Sequence, residues 1–163
     1  MQGVGVMAKW GRCDYSGLLA FKNAFQKLSD AEMDALCKEC SKALAARLLS
    51  LVIPATPVGQ YPAGSGKKGG TLRRGWGANT KGGAAGYAAS LPVQKAGNTY
   101  TVEIVNPVEY ASYVEFGHRT VNGGWVDGQY MLTISEEKLK RIAPSVLEKM
   151  VLKKLREVCD GGN

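Results

Sequence analysis

The chain has 163 residues, 45% of them hydrophobic and 21% charged, the balance of one ordinary globular domain long enough to build a core without disulfide staples. Its net charge of +7 and pI of about 9.3 suit nucleic acid, an acidic partner or an acidic surface without choosing among them. The longest apolar run, residues 43–55, is interrupted by Arg47 and ended by Pro54, too short to span a bilayer, and no basic leader with an apolar core opens the chain, so the expectation is a protein made and folded in the cytoplasm.

Residues 1–28 read as an N-terminal arm, with glycines at 3, 5, 11 and 17 between short apolar pieces. Within it Leu18, Phe21, Phe25 and Leu28 fall at helical spacing. Ser29-Asp30-Ala31-Glu32 is a capping box, and a long helix is expected to begin there. Its apolar stripe runs through Met33, Leu36, Cys37, Cys40, Leu44, Leu48, Leu51 and Val52, and Pro54 is expected to stop it at Ile53. Cys37 and Cys40 have CxxC spacing, but no second close pair accompanies them and His118 is the sole histidine. They read as small buried hydrophobes, and no cofactor or metal is expected.

Residues 54–70, PATPVGQYPAGSGKKGG, carry three prolines, five glycines and no apolar periodicity, the composition of a mobile loop. Its length suggests use, with Lys67 and Lys68 as its charged part. Thr71-Leu72-Arg73-Arg74-Gly75-Trp76 reads as a short amphipathic turn or strand lip anchored by Leu72 and Trp76. The glycine-rich stretch 77–86 matches neither GxxxxGK[ST] nor strand-GxGxxG-helix, so a phosphate cradle is set aside. Residues 87–93 and 99–105 read as the two strands of an antiparallel hairpin turning at Gly97-Asn98, with Val102 and Ile104 on one face.

Asn106-Pro107 ends that strand, because proline has no amide to give a ladder. Residues 108–116 then read as a short helix with Glu109 and Glu115 in water, until Gly117 offers a left-handed exit. His118 has no triad or ligand partners in reach of sequence, and Trp125 reads as a packing anchor. A second long helix is expected from a cap at Thr133 or Ser135, with Leu139, Ile142, Val146, Leu147, Met150, Val151, Leu155 and Val158 in one phase and a kink or break at Pro144. The expected fold is a single α+β domain over residues 1–163: two long helices on a small antiparallel sheet, with a short helix after the last hairpin strand and extended Gly/Pro-rich loops.

The order of pieces resembles the tail-completion and head-tail joining proteins of tailed bacteriophages, the gene-product-ten-like minor tail proteins. It is carried by Thr56-Pro57-Val58, by residues 71–76, by residues 106–117 (NPVEYASYVEFG, with Asn106, Pro107, Tyr110, Tyr113, Glu115 and Gly117 beside the earlier Trp76), and by Tyr130-Met131-Leu132. Where relatives often place Asp-Thr-Gly after TPV, this chain has Gly59-Gln60-Tyr61-Pro62 and a longer insertion. GGWVDGQYMLTISEE resembles members from contractile-tailed prophages and phage-tail-like particles.

The resemblance implies a structural virion protein assembled in the bacterial host cytoplasm: a ring of copies, commonly a hexamer, at the head-proximal end of the tail. Its implied partners are itself, tail tube, sheath or terminator proteins and head-tail connectors, with non-specific contact to DNA in the lumen and no membrane; in a headless particle it would act as a collar. Under that implication Lys67, Lys68, Arg73 and Arg74 are candidate inter-subunit or lumen contacts. An enzyme needs a convergent titratable set that the residues do not offer. The rival is a free-standing basic nucleic-acid-binding protein, supported by charge alone.

Overall fold

In the computed structural model the described residues, 16–66, 68–77 and 80–160, form a mixed structure of helices and two antiparallel hairpins. Helix α1 (Ser16–Lys27) is followed by the long α2 (Asp30–Ala55). The capping box forms as spaced: the Glu32 amide donates to Ser29 Oγ at 3.3 Å, and the Ser29 amide donates to Glu32 Oε2 at 2.9 Å. The backbone bond from Ser29, and then the one from its hydroxyl, hold the Glu32 carboxyl below its ordinary pKa. The helix does not stop at Ile53; it runs through Pro54 to Ala55. In the last turn proline forfeits only one ladder bond, and the Thr56 amide still donates to the Val52 carbonyl at 2.9 Å.

The residues of α2 that are most buried are Leu36, Ala45, Leu49 and Val52. Ala45 and Leu49 lie outside the predicted stripe because α2 is covered on two sides, by α4 (Gly83–Ser90) and by the final helix α6 (Met131–Asp160). A helix wrapped in this way has no single apolar face for periodicity to find. With Leu72, Trp76, Ala88 and Met131 these side chains form the core. Helix α1 packs on α6 and buries Ala24. The half-buried Cys37 and Cys40 are free thiols on α2, Cys159 is an exposed one, and burial raises the Cys40 pKa; Cys13 lies outside the described residues.

Three expectations are corrected here. Residues 71–75 are a short helix, α3 (Thr71–Gly75), not a strand lip. The stretch expected as the first hairpin strand is largely helix α4, GAAGYAAS: alanine is the best helix former, and no β-branched residue stiffens the segment toward a strand. The hairpin shrinks to β1 (Gln94–Ala96) and β2 (Thr99–Thr101), with Ala96 opposite Thr99 across the expected Gly97-Asn98 turn. Residues 102–106 keep the expected alternation, Val102 and Ile104 half-buried and Glu103 and Val105 exposed, but without a ladder partner.

Beyond them, α5 (Ala111–Phe116) leads directly into β3 (Gly117–Arg119), which pairs with β4 (Trp125–Asp127). This second hairpin was not expected, and on it Trp125 is 61% exposed rather than a packing anchor. Helix α6 is one continuous element with Pro144 inside it. It opens at Met131, ahead of the predicted caps, and the Ser135 hydroxyl instead donates back to the Met131 carbonyl at 2.6 Å. Each small sheet is thus an isolated two-stranded hairpin, and the two long helices pack chiefly on one another.

Candidate assembly surface and the caps that support it

Thr56, the first residue of TPV, is fully buried and joins three elements. Its hydroxyl donates to the Val52 carbonyl at 2.7 Å and accepts from the Trp76 indole N–H at 2.9 Å. Its carbonyl accepts from Arg73 Nε at 3.1 Å and Nη2 at 2.7 Å, and Arg73 Nη2 also donates to the Pro54 carbonyl at 3.3 Å. A guanidinium is thereby set on carbonyls at and just beyond the end of α2, where the helix dipole favours a cation.

Asn106 performs the corresponding task for α3. Its Nδ2 donates to the Leu72 carbonyl at 2.9 Å, while its Oδ1 accepts from the Val108 amide at 3.2 Å across Pro107. A side chain at Gly75 would collide with that Oδ1, so the close approach needs glycine there. Asp34, on α2, anchors the β1–β2 hairpin: it pairs with Lys38 and Lys95, each at 2.7 Å, and accepts from the Tyr100 hydroxyl at 2.7 Å. The Lys38 bond first, then Lys95 and Tyr100, hold its carboxyl well below the usual carboxylate range, and Asp34 in turn raises the Lys95 pKa.

Glu115 departs most from expectation. Rather than lying in water it is 4% exposed and caps α6 from a different element. Its Oε2 accepts from the Leu132 amide at 2.8 Å; its Oε1 accepts from the Thr133 amide at 2.9 Å and the Thr133 hydroxyl at 2.7 Å. Backbone bonds from the Gln129 amide to the Val114 carbonyl and from the Tyr130 amide to the Glu115 carbonyl hold the connecting chain against α5. Gly117 closes α5 with φ +85° and ψ 172°, a positive φ as expected but extended in ψ rather than left-handed helical, and this turns the chain into β3.

Of the four candidate contact cations, Arg73 is the one engaged inside the fold. Lys68 and Arg74 are exposed, Arg74 donating to the Gly69 carbonyl at 3.2 Å and to Thr71 Oγ1 at 3.3 Å. Lys67 lies outside the described residues. Lys68 borders a cavity of about 250 Å³ between the 57–72 loop and α5, lined also by Val58, Tyr61, Leu72, Tyr110 and Val114. Tyr113 is 58% exposed, and its ring lies 5.7 Å from that of His118. His118 is half-buried, with an enclosed Nδ1 that has no hydrogen-bond partner.

Among the described residues there is no grouping of three or more histidine, cysteine or acidic side chains suited to a metal, and no helix long and apolar enough to cross a membrane. What the motif residues share is mechanical: Thr56, Arg73, Trp76, Asn106 and Glu115 each tie the end of one element to another. Neither a curated protein nor a solved structure matches the chain. A family model does, the one described as "Bacteriophage HK97-gp10, putative tail-component", and it spans residues 20–117, from α1 through the end of α5. The match covers more than half of the chain and takes in the TPV, LRRGW and NPVEYASYVEFG pieces, though not Tyr130-Met131-Leu132, so the protein belongs to the HK97-gp10-like family of bacteriophage tail components.

Proposed function

We propose that this tail component acts as a ring of identical copies, six in number, at the head-proximal end of the tail, where it completes the tail and presents a surface to the neck. In a particle without a head the same ring acts as a collar. The observation that carries the reading is the family match over residues 20–117. The fold supplies what such a role requires: a compact helical body with two loop-borne surfaces, the 57–72 segment and the β3–β4 hairpin. A ring closes through heterologous contacts, and segments that reach onto the next copy are a natural means of making them. Lys67, Lys68 and Arg74 are the cations proposed to face the neighbour or the lumen, where they meet phosphate without reading bases; Arg73 contributes through the geometry of the loop.

The test is negative-stain electron microscopy of particles produced by a strain lacking the gene. Irregular or overlong head-proximal tail ends, or tails unjoined to heads, are expected. Complete particles of normal length would overturn the proposal and return weight to a free-standing nucleic-acid-binding role, which a steep fall of DNA affinity with salt would then support.

A further inference from the structure

Charge is distributed along this chain very unevenly. Between residues 97 and 137 six carboxylates (Glu103, Glu109, Glu115, Asp127, Glu136 and Glu137) stand against one cation, Arg119, a net of −5 in a chain whose total is +7. Glu115 is buried as a cap, and none of the other five forms an ion pair among the described residues. The same region carries the densest exposed aromatic surface: Tyr113, Phe116 and Trp125 are 58%, 60% and 61% exposed, joined by Tyr130 and Ile134. Bare aromatic side chains of that number are what an interaction surface looks like. The β3–β4 hairpin that displays part of it packs within the chain mainly on α5, and a two-stranded hairpin alone in water is marginal.

The counter-charge lies at the other end of α6. Between residues 138 and 160 seven cations stand against three carboxylates, a net of +4. A shallow groove on its last turns is lined by Lys149, Leu152, Lys153, Arg156, Glu157 and Asp160. Among the described residues only Lys153 of these cations has a carboxylate in reach, Glu157 at 3.9 Å. At 1.5 Å rise per residue the two regions are separated by roughly 30 Å of helix, several times the Debye length of about 8 Å. They therefore do not neutralise one another within one copy. An acidic end and a basic end on one rigid rod are complementary only between copies, head to tail.

We propose that the acidic aromatic face built by α5, the β3–β4 hairpin and the first turns of α6 docks on the basic groove along the last turns of α6 of a second copy of this chain. The inference rests on the reading that copies assemble, and it names which surfaces meet. The contact is heterologous, so repetition closes a ring or extends an open chain.

Sedimentation velocity of the full chain over a range of concentration and salt tests it. Asp127→Lys with Glu136→Lys reverses the face, and Lys149→Glu with Arg156→Glu reverses the groove; all four residues are exposed. Each double variant is expected to keep wild-type helical circular dichroism and to need at least about tenfold more protein to assemble, because like charges now meet. Trp125→Ser gives the same loss with no change of charge. An equimolar mixture of the two charge-reversed proteins reassembles, since each then offers the other a complementary surface. If the wild type assembles and the variants assemble equally well, the docking is overturned while the ring stands. A mixture that fails to reassemble overturns it too, as do variants that assemble normally yet are missing from particles, which assigns the face to a different tail protein. A wild-type chain that stays monomeric at every concentration removes both proposals.

Discussion

Glu115 holds Thr133 twice, with Oε1 accepting from the Thr133 amide at 2.9 Å and from its hydroxyl at 2.7 Å. Together with the Leu132 amide on Oε2, this makes a carboxylate on α5 the N-terminal cap of the 30-residue α6. Glu115→Ala strands two amides beside the core and is expected to cost about 1–3 kcal/mol, a fall in Tm of roughly 2–4 °C for each kcal/mol in a domain of this size. Glu115→Gln retains one carbonyl acceptor and loses less. Thermal melts followed by circular dichroism decide it; an alanine variant as stable as wild type would mean that the cap is idle.

Thr56 and Trp76 are coupled, since the Thr56 hydroxyl accepts from the indole while donating to α2. Thr56→Val leaves a buried indole N–H without an acceptor, at a cost of about 1–3 kcal/mol. Trp76→Phe removes the donor and some volume, at about 1–3 kcal/mol. Urea titration of both single variants and the double variant should give a double-variant loss smaller than the sum. Additive losses would show that the bond contributes nothing of its own.

Gly117 and Gly123 make a controlled pair on the second hairpin. Both have positive φ, +85° and +81°, but a Cβ at Gly117 would lie 2.5 Å from the Val126 carbonyl oxygen, whereas at Gly123 nothing lies within 4 Å. Gly123→Ala should cost only the left-handed backbone, about 1–2 kcal/mol. Gly117→Ala adds a clash with the paired strand and should cost more, with faster amide exchange at residues 117–127. Equal losses at the two positions would refute the steric account.

Asp34 ties α2 to the first hairpin and has a folded-state pKa below its ordinary value of 3.8. The unfolded chain therefore binds this proton more readily than the folded one. The contribution is complete above about pH 4 and is lost as pH falls below that value toward the lower folded pKa. Asp34→Asn should be less stable at neutral pH and should show a shallower loss of stability below about pH 4 than wild type. Parallel acid limbs for the two proteins in denaturant titrations at several pH values would exclude the linkage.

Arg73 and Arg74 are neighbours with different duties, the first bonded to carbonyls at and beyond the end of α2 and the second exposed beside Gly69. Arg73→Ala should lower stability by about 1–3 kcal/mol and Arg74→Ala by less than about 0.5 kcal/mol. Lys68→Ala with Arg74→Ala should instead lower the yield of complete particles at unchanged Tm. Wild-type yield from that double variant would remove both cations from the proposed contacts.

Local chemistry was enough to determine the two long helices, the Ser29 capping box, the Gly97-Asn98 turn, the alternation of residues 102–105 and the short aromatic helix before Gly117. Each depends on residues within about one turn or one strand of one another. The order of its short motifs carried the family as well. Tertiary structure alone decided that Glu115 is a cap and not a wet surface residue, because its amide partners arrive 17 residues later in the chain. It also decided that Asp34 anchors a hairpin 61 residues away through Lys95, and that α2 is buried on two sides and so hides Ala45 and Leu49 from periodicity. The β3–β4 hairpin left no alternating apolar signal, since both of its faces are largely in water. That same absence of an inward face is what exposes Trp125 beside the unpaired carboxylates.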